Sequence, residues 1–294
     1  MNNPSRPPGA RLLSVARDRL DLATSLRCGQ VFHWESHGEG WIGALGDDPV
    51  YLEQVDDALW IAGAPDERVE RYLALDHPLE EIVASFPQDD AMRGAAQFSR
   101  GMRIFRQPEW ECLASFITSA MKQVAHITQM SLALRRSFGQ PLVLGGRTLH
   151  AYPTPAAMAA ASEAQLRACG LGFRAANLLR TARMIDSGEV SLEAVAAMGD
   201  DEAREELCRL PGVGVKVANC ALLFGFGRLA AFPIDVWIER ILRTLYFKGK
   251  RRVTPRRLRE FAATYFGAYG GYAQQYLFHH ARQTWGRGER GKKG

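Results

Sequence analysis

The residues of this sequence whose types and spacing could do chemistry are a lysine and an aspartate, each at the start of a predicted helix. Lys216 lies in the first turn of the helix that follows Leu210-Pro211-Gly212-Val213-Gly214, and Asp235 follows in Pro233-Ile234-Asp235. Because unpaired amides at a helix start attract anions, a lysine there is electrostatically unfavourable. We expect the two helices to pack as neighbours, with the amine and the carboxylate toward one cleft. A helical hairpin with a surface lysine and a capping aspartate explains the spacing equally well.

The turn before Lys216 is predicted to join two short helices. Pro211 ends the first helix, and Gly212 and Gly214 permit left-handed backbone angles or a close approach to a flat partner. The second helix has an apolar stripe at i, i+3, i+4 and i+7, formed by Val217, Cys220, Ala221 and Phe224. We therefore expect the backbone amides around Gly212, Gly214 and Val217 to bind a phosphate.

This arrangement resembles the helix-hairpin-helix DNA glycosylases that have a catalytic lysine, and most closely the 8-oxoguanine DNA glycosylase/AP lyases of the HhH-GPD superfamily. The pattern L-P-G-V-G-x-K followed by P-x-D carries the resemblance. Four further segments resemble that family in the same order, at residues 28–34, 115–119, 170–175 and 273–278, and together the matches span residues 12–285. The resemblance implies a base excision repair enzyme that flips 8-oxoguanine out of duplex DNA and cleaves the strand through a Schiff base.

The resemblance identifies Lys216 and Asp235 as the catalytic pair. Lys216 would attack the anomeric carbon, which requires a neutral amine, and partly apolar surroundings would disfavour its ammonium form. Asp235 would stabilise positive charge on the sugar and assist proton transfer. Glycosylases that activate water need no lysine here, so Lys216 is the residue that indicates a lyase.

The same resemblance implies a pocket for the damaged base. The carbonyl of Gly29 would accept the ring N–H that 8-oxoguanine has and guanine lacks. Gln274 would read the Watson–Crick edge, and Phe278 and Cys220 would cover the two faces of the base. Taken singly, these residues are equally typical of a turn glycine, a surface glutamine, a core phenylalanine and a buried cysteine.

Around the base opposite the lesion, the sequence departs from the animal-type pattern of the family. Phe173 matches an aromatic wedge, and Arg174 matches an arginine that contacts the widowed cytosine. Met121 and His126 replace an asparagine and a second arginine, so we expect weaker discrimination for cytosine. Trp237 replaces a histidine that the family uses near a phosphate, which puts that contact in doubt.

No cofactor is expected. The resemblance implies at most a structural cation at the hairpin, bound by the carbonyls of Cys208, Leu210 and Val213, and no side-chain metal site is visible. The five cysteines are scattered without a C-x-x-C pair, which predicts reduced thiols and argues against the iron–sulfur branch of the superfamily.

The order of patterns predicts an α+β chain. Apolar residues make up 47% of the 294 residues and charged residues 23%, as in ordinary globular proteins. Period-two alternation over residues 19–62 predicts about five antiparallel strands, and helices follow at 65–75 and 78–84. One long amphipathic helix is predicted from Pro108 to Gly139, and everything beyond it is predicted to be helical.

We therefore expect three regions. Residues 1–105 form an antiparallel sheet domain (TBP-like, by the resemblance), residues 106–284 a helical HhH-GPD glycosylase domain, and residues 285–294 a basic disordered tail. The active site should lie in a cleft between helical subdomains.

The net charge of +5 suits a polyanionic partner, which the resemblance specifies as double-stranded DNA containing oxidised guanine, bound by a monomer. With no signal-peptide pattern and no apolar run long enough for a membrane span, we expect no secretion, but a cytoplasmic protein (nucleoid-associated in a prokaryote) or a nuclear one in a eukaryote. Two alternatives stay open. An alkylated-purine glycosylase of the same fold uses the aspartate but lacks the lysine, and a non-catalytic helix-hairpin-helix DNA-binding module needs neither Asp235 nor the pocket residues.

Overall fold

A computed structural model describes residues 5–249 and 253–288 of the chain, with only the helical backbone for residues 286–288. The described residues form a five-stranded antiparallel sheet with short helices, followed by a predominantly helical part. The predicted α+β fold class is confirmed.

The sheet consists of β1 (Arg11–Ser14), β2 (Glu35–His37), β3 (Gly40–Leu45), β4 (Asp48–Val55) and β5 (Ala58–Gly63). Its order is β1-β5-β4-β3-β2, so the first strand pairs with the last. Leu52 pairs with Ile61, and both are fully buried in a core that also contains Trp34 and Phe105. This core also includes Val69 of the helix that directly follows the sheet, so that helix covers part of the sheet.

The start of the sheet that the period-two pattern predicted is wrong. Helix α1 (Leu22–Arg27) and an irregular segment occupy residues where strands were predicted, and the first strand lies earlier, at β1. Phe32, His33 and Trp34 are all buried, so the alternation of apolar and polar residues does not produce alternating solvent exposure here. The segment 28–34 instead runs between two cores, because Cys28 and Phe32 pack in the helical core while Val31 and Trp34 pack under the sheet.

Three further helices precede the helical part: α2 (Asp66–Tyr72), α3 (Leu79–Ala84) and α4 (Asp90–Phe98), of which α4 was not predicted. The buried residues of α3 and α4, including Ile82 and Met92, belong to the helical core. The helical core therefore includes residues that lie before residue 105, in the part of the chain predicted to be the sheet domain.

The single long helix predicted from Pro108 to Gly139 is two helices, α5 (Glu109–Ser119) and α6 (Val124–Phe138). At the break, Ala120 is extended and Met121 has φ 56°. The apolar periodicity continues across the break, which is why it was missed, and the carbonyl of Ala120 is bound by Arg174 from a distant helix.

The prediction that everything beyond Gly139 is helical is also wrong. Strands β6 (Pro141–Leu144) and β7 (Arg147–His150) form a two-stranded hairpin, and Gly145 and Gly146 make its turn with positive φ. The strands are only four residues long and mostly exposed, so their apolar pattern is weak.

The remaining elements are helical. They are α7 (Pro155–Ala159), α8 (Glu163–Leu166), a π-helical turn (Arg167–Leu171), α9 (Arg174–Asp186), α10 (Leu192–Ala197), α11 (Asp200–Cys208), α12 (Val215–Phe224), α13 (Val236–Leu245), α14 (Pro255–Phe266), a 3-10 turn (Gly267–Tyr269) and α15 (Gly270–Gly288). The last helix extends into the predicted disordered tail, because Trp285 packs against the helical core. The rest of that predicted tail, residues 289–294, lies outside the described residues. Within the described part, no helix is both long and apolar enough to cross a membrane.

Candidate active site

The turn between α11 and α12 is held by short contacts to α9. Gly212 has φ 82°, and a Cβ added there would lie 3.0 Å from the side chain of Asn177. Thr181 donates a hydrogen bond to the carbonyl of Pro211 at 3.0 Å. Both its backbone angle and its close packing therefore require glycine at position 212.

The start of α12 presents unpaired backbone amides. Gly214 is the N-cap residue and supplies no side-chain cap, and the first helical hydrogen bond runs from Ala218 N to Gly214 O at 2.9 Å. The amides of the first turn, up to Val217, precede that bond and point out of the helix end. The turn that was predicted to bind phosphate thus has the geometry of an anion site.

Lys216 lies in this first turn and is half-buried. Its Nζ is 5.0 Å from the ring centroid of Phe116 on α5, so its amine lies against an aromatic face rather than in open solvent. The simple surface lysine that the spacing also allowed is therefore wrong.

The Cys220 thiol is influenced by the charges of both Lys216 and Asp235. Burial raises the pKa of the Cys220 thiol, Lys216 opposes this shift through its charge and a hydrogen bond, and Asp235 reinforces it. Asp235 also caps α13, because its Oδ1 accepts a hydrogen bond from Ile238 N at 2.8 Å. The charges of Lys216 and Asp235 thus both act on the Cys220 thiol, and the predicted cap is present as well.

Two of the predicted base-pocket residues, Gly29 and Phe278, lie close together where α15 passes the segment at residue 29. A Cβ added at Gly29 would lie 3.5 Å from Cε1 of Phe278. Gln274, one turn before Phe278, is only 4% exposed, and its Oε1 has no hydrogen-bond partner among the described residues. The alternative of a surface glutamine is wrong, and a buried amide oxygen without a partner is costly unless a ligand supplies one.

Gln30, which sequence reasoning missed as a contributor to the site, fixes the position of Gly29. Its fully buried side chain donates to the carbonyls of Ser25 at 2.9 Å and Arg103 at 2.7 Å, and accepts from Phe105 N at 2.8 Å. These bonds anchor the segment to the sheet side of the molecule. The only sequence signal was a glutamine between a glycine and an apolar run.

The residues predicted for the opposite strand form an exposed apolar pair with an arginine beneath it. Met121 is 92% exposed and Phe173 is 59% exposed. Arg174 is only 4% exposed; its Nε donates to Ala120 O at 2.8 Å, and its Cζ lies 4.3 Å from the Phe173 ring centroid. Its described contacts thus hold the two apolar side chains in place, while His126 is exposed on α6.

The remaining predictions concern the hairpin carbonyls and Trp237. Among the hairpin carbonyls predicted to hold a cation, that of Leu210 accepts a hydrogen bond from Val213 N at 3.1 Å. In the described residues, no group of three or more His, Cys, Asp or Glu side chains could hold a metal ion. Trp237 is half-buried in the first turn of α13.

Comparison with known proteins relates both parts of the chain to DNA repair. Residues 12–113 match the family model of the 8-oxoguanine DNA glycosylase N-terminal domain, and residues 114–264 match that of the HhH-GPD superfamily base excision DNA repair proteins. A probable N-glycosylase/DNA lyase of Methanothermobacter thermautotrophicus is 34% identical over 238 residues, which cover 74% of this chain and 75% of that relative.

Two solved structures are similar along almost the whole chain. MBOgg1 in complex with a low-affinity DNA ligand has a TM-score of 0.88 and 32% identity, covering 93% of this chain and 96% of that one. The Clostridium acetobutylicum 8-oxoguanine glycosylase/lyase, in complex with double-stranded DNA containing cytosine opposite 8-oxoguanine, has a TM-score of 0.86 and 31% identity, covering 90% of this chain and 92% of that one.

Proposed function

Because this chain belongs to the 8-oxoguanine DNA glycosylase family of the HhH-GPD superfamily, we propose that it removes 8-oxoguanine from duplex DNA and then cleaves the strand at the abasic site. It is a bifunctional N-glycosylase/DNA lyase of base excision repair. The observation that carries this function is the half-buried Lys216 at the helix start after the hairpin turn, whose amine lies against the Phe116 ring and whose charge acts, with that of Asp235, on the Cys220 thiol.

The base must leave the stack before any bond to its sugar can be broken. The carbonyl of Gly29 accepts the N7–H of 8-oxoguanine, and the unpaired amide oxygen of Gln274 accepts from the Watson–Crick edge. Phe278 and Cys220 cover the two faces of the base. Guanine lacks the N7–H, so its ring nitrogen would face the Gly29 carbonyl without a hydrogen bond, which costs ~1–3 kcal/mol.

The chemistry then proceeds at the sugar. The lone pair of the Lys216 amine attacks C1′ while the base departs with the bonding electron pair and takes up a proton released by the attacking amine, and Asp235 stabilises the positive charge on the sugar. The attached amine expels the ring oxygen to give a Schiff base. Loss of a C2′ proton then eliminates the 3′ phosphate, and water releases Lys216 from the opened sugar.

Double-stranded DNA is the partner. The backbone amides around Gly212, Gly214 and Val217 bind a phosphate, and a cation at the carbonyls of Cys208, Leu210 and Val213 would bridge the hairpin to DNA; no other cofactor is required. Phe173 and Met121 fill the gap left by the flipped base, with Arg174 and His126 near the opposite strand. We infer a monomer that acts where chromosomal DNA lies, in the cytoplasm of a prokaryote or the nucleus of a eukaryote.

The test is excision from an 8-oxoguanine duplex, combined with borohydride trapping of the Schiff base. We expect the unchanged chain to release the base and to form a covalent protein–DNA complex. Lys216→Gln should lose the complex entirely and slow excision by a factor on the order of 10³ or more, because the nucleophile is gone. Lys122→Gln, at an exposed lysine beside the α5–α6 break, is the matched control and should still be trapped.

The opposite results identify the alternatives. Release of 3-methyladenine without any trapped complex would indicate an alkylated-purine glycosylase. Binding of duplex DNA without release of any base would indicate a non-catalytic module, and a trapped Lys216→Gln complex would assign the nucleophile to another residue.

A further inference from the structure

Arg282 lies in the wall of the base pocket, although neither the sequence patterns nor the family resemblance assigns it a role there. It follows Gln274 and Phe278 at i+8 and i+4 on one face of α15. Its Cζ is 5.2 Å from the Phe278 ring centroid, and its Nη1 is 3.0 Å from the position of a Cβ added at Gly29. The guanidinium thus contacts two of the residues proposed to hold the damaged base.

The charge of Arg282 has no hydrogen-bonding partner in the described part of the protein. No described residue accepts a hydrogen bond from its guanidinium or forms an ion pair with it, although the side chain is half-buried. Burial lowers the pKa of Arg282, while the more distant charges of Cys28 and Asp235 oppose this shift. A guanidinium carries five N–H donors, and a ligand that displaced the water around them would have to supply acceptors, because burying unpaired donors is costly.

The fully buried arginines of this protein behave differently. Arg103 donates to the carbonyls of Arg19, Ala74 and His77. Arg135 pairs with Glu111 and donates to the carbonyl of His150, and Arg174 donates to the carbonyls of Ala120 and Leu171. Arg282 is less buried than these three, and among the described residues it has no protein acceptor at a place where a ligand is expected. Its donors therefore match an acceptor that arrives with the ligand.

The position of Arg282 along α15 identifies the edge of the base that it faces. Gln274 is proposed to read the Watson–Crick edge, and Phe278 lies under the ring. Arg282 is two helical turns, about 12 Å, beyond Gln274 along the axis, so it faces the opposite, imidazole edge of a bound purine. That edge carries N7–H, assigned to Gly29, and beside it the C8 oxygen that oxidation adds.

We propose that Arg282 donates a hydrogen bond to the C8 oxygen of the flipped base and is a specificity-determining residue for 8-oxopurines. This inference rests on the proposed function. In the base-free protein the guanidinium rests against Phe278, and rotation about its side-chain bonds moves it to the edge of the base as the ring is occupied. Gly29 then reads the hydrogen that the lesion adds to the ring, and Arg282 reads the oxygen.

The test is equilibrium binding of the full chain in a Lys216→Gln background, which prevents turnover. Four duplexes differ in one nucleotide: 8-oxoguanine, 8-oxoadenine, guanine, or a tetrahydrofuran abasic analogue that keeps the phosphates and lacks a base. Arg282→Met keeps the apolar stem and removes the donors, Arg282→Lys keeps the charge without the fork, and Arg71→Met on α2 is an exposed control. Thermal unfolding of each variant verifies that it is folded.

We expect Arg282→Met to weaken binding of 8-oxoguanine and 8-oxoadenine by the same factor, on the order of 10-fold, as for a charge-assisted hydrogen bond. Binding of the guanine and abasic duplexes should change less than about twofold, Arg282→Lys should lose less than Arg282→Met, and Arg71→Met should resemble the parent.

Each other outcome overturns the inference. If Arg282→Met weakens binding of all four duplexes equally, Arg282 contacts a phosphate. If it weakens binding of the 8-oxoguanine duplex alone, Arg282 contacts the C6 oxygen of that base. If it weakens binding of none, Arg282 does not contact the base. If the Lys216→Gln parent itself fails to prefer 8-oxoguanine over guanine, the proposed function fails as well, and this is visible before Arg282 is changed.

Discussion

At the scale of single residues, Met121 combines a strained backbone with an exposed apolar side chain. Its φ is 56°, where non-glycine residues other than Asn, Asp and His are uncommon, and it is 92% exposed. A thioether can fill the gap in a base stack, but it offers no strong hydrogen bond to an opposite base. The protein should therefore excise 8-oxoguanine opposite all four bases with similar efficiency.

Met121→Asn should change this preference. Asn tolerates the left-handed region, so thermal stability should be equal or higher, and its amide can bond to the opposite base. We expect kcat/KM opposite cytosine to rise about 5- to 10-fold relative to the other three bases, as one new hydrogen bond allows. Excision from the four duplexes measures this, with exposed Val143→Asn on β6 as control. A strict cytosine preference of the unchanged protein would contradict the prediction.

The residues whose positions could be predicted from spacing are those placed by the local sequence. Asp235 caps its own helix three residues on, and Lys216 follows its turn directly, so spacing alone placed both. Arg282 and Gln30 could not be found this way. Their importance comes from contacts with residues far away in the chain, and nothing near them in sequence signals those contacts.

At the scale of elements, the start of α14 lies beside the start of α12. Pro255, Leu258 and Arg259 line a cavity of about 110 Å³ together with Val215 and Lys216. The side chains of Arg256 and Arg257 are 83% and 65% exposed. The start of α14, which carries three arginines, thus lies beside the start of the helix proposed to bind phosphate, and we expect these arginines to contact the DNA backbone.

Replacing Arg256, Arg257 and Arg259 together by Gln should weaken binding of any duplex, damaged or not. The slope of log K against log salt should become shallower by about 0.9 for each DNA phosphate that the variant no longer neutralises, because fewer counterions are released. A matched triple change of the exposed residues Arg71, Arg93 and Arg100 controls for net charge. An unchanged slope in the α14 variant would rule out the interaction with the DNA backbone.

Helix boundaries with local caps were predictable, and boundaries set by distant contacts were not. Thr254 accepts a hydrogen bond from Arg257 N, and α14 runs over the predicted residues 255–266. The break at Ala120 has no such local signal, since its freed carbonyl is bound by Arg174 across the fold. The β6–β7 hairpin did have a signal, the Gly145-Gly146 pair, but its strands were too short to suggest a sheet.

At the scale of the whole molecule, His77 joins the sheet side to α15. Its Nδ1 hydrogen-bonds with the hydroxyl of Tyr272 at 2.9 Å. Burial, followed by the charge of Arg106, lowers the pKa of His77 to about 4, with Asp76 opposing. The folded protein therefore holds this imidazole neutral across a range of pH in which an unfolded chain would bind a proton.

The sign of the effect on stability follows from that difference. The unfolded state takes up a proton near pH 6.5, but the folded state does so only near pH 4. The contribution of His77 to the free energy of unfolding is therefore fully present above pH 6.5 and is lost as the pH falls toward 4. Urea unfolding gives the decrease in the free energy of unfolding between pH 7 and pH 5. This decrease should be smaller in His77→Gln than in the unchanged chain by an amount on the order of 1 kcal/mol, with allowance for solvent screening of a half-buried group. His126→Gln, at an exposed histidine, should match the unchanged chain, and an equal loss in all three would contradict the prediction.

The segment 28–34 crosses from one core to the other, and Gly29 lies on it. Lys216, Cys220 and Asp235 are all carried by α12 and the start of α13, beyond that crossing. The carbonyl proposed to read the N7–H of the lesion thus lies on a segment anchored in both cores, while the residues proposed to break the bond lie in the helical part alone. Loosening this segment by heat or by a change at Gln30 should weaken the discrimination against guanine that depends on Gly29 while the strand is still cut, so that part of the selectivity would be lost at a lower temperature than turnover.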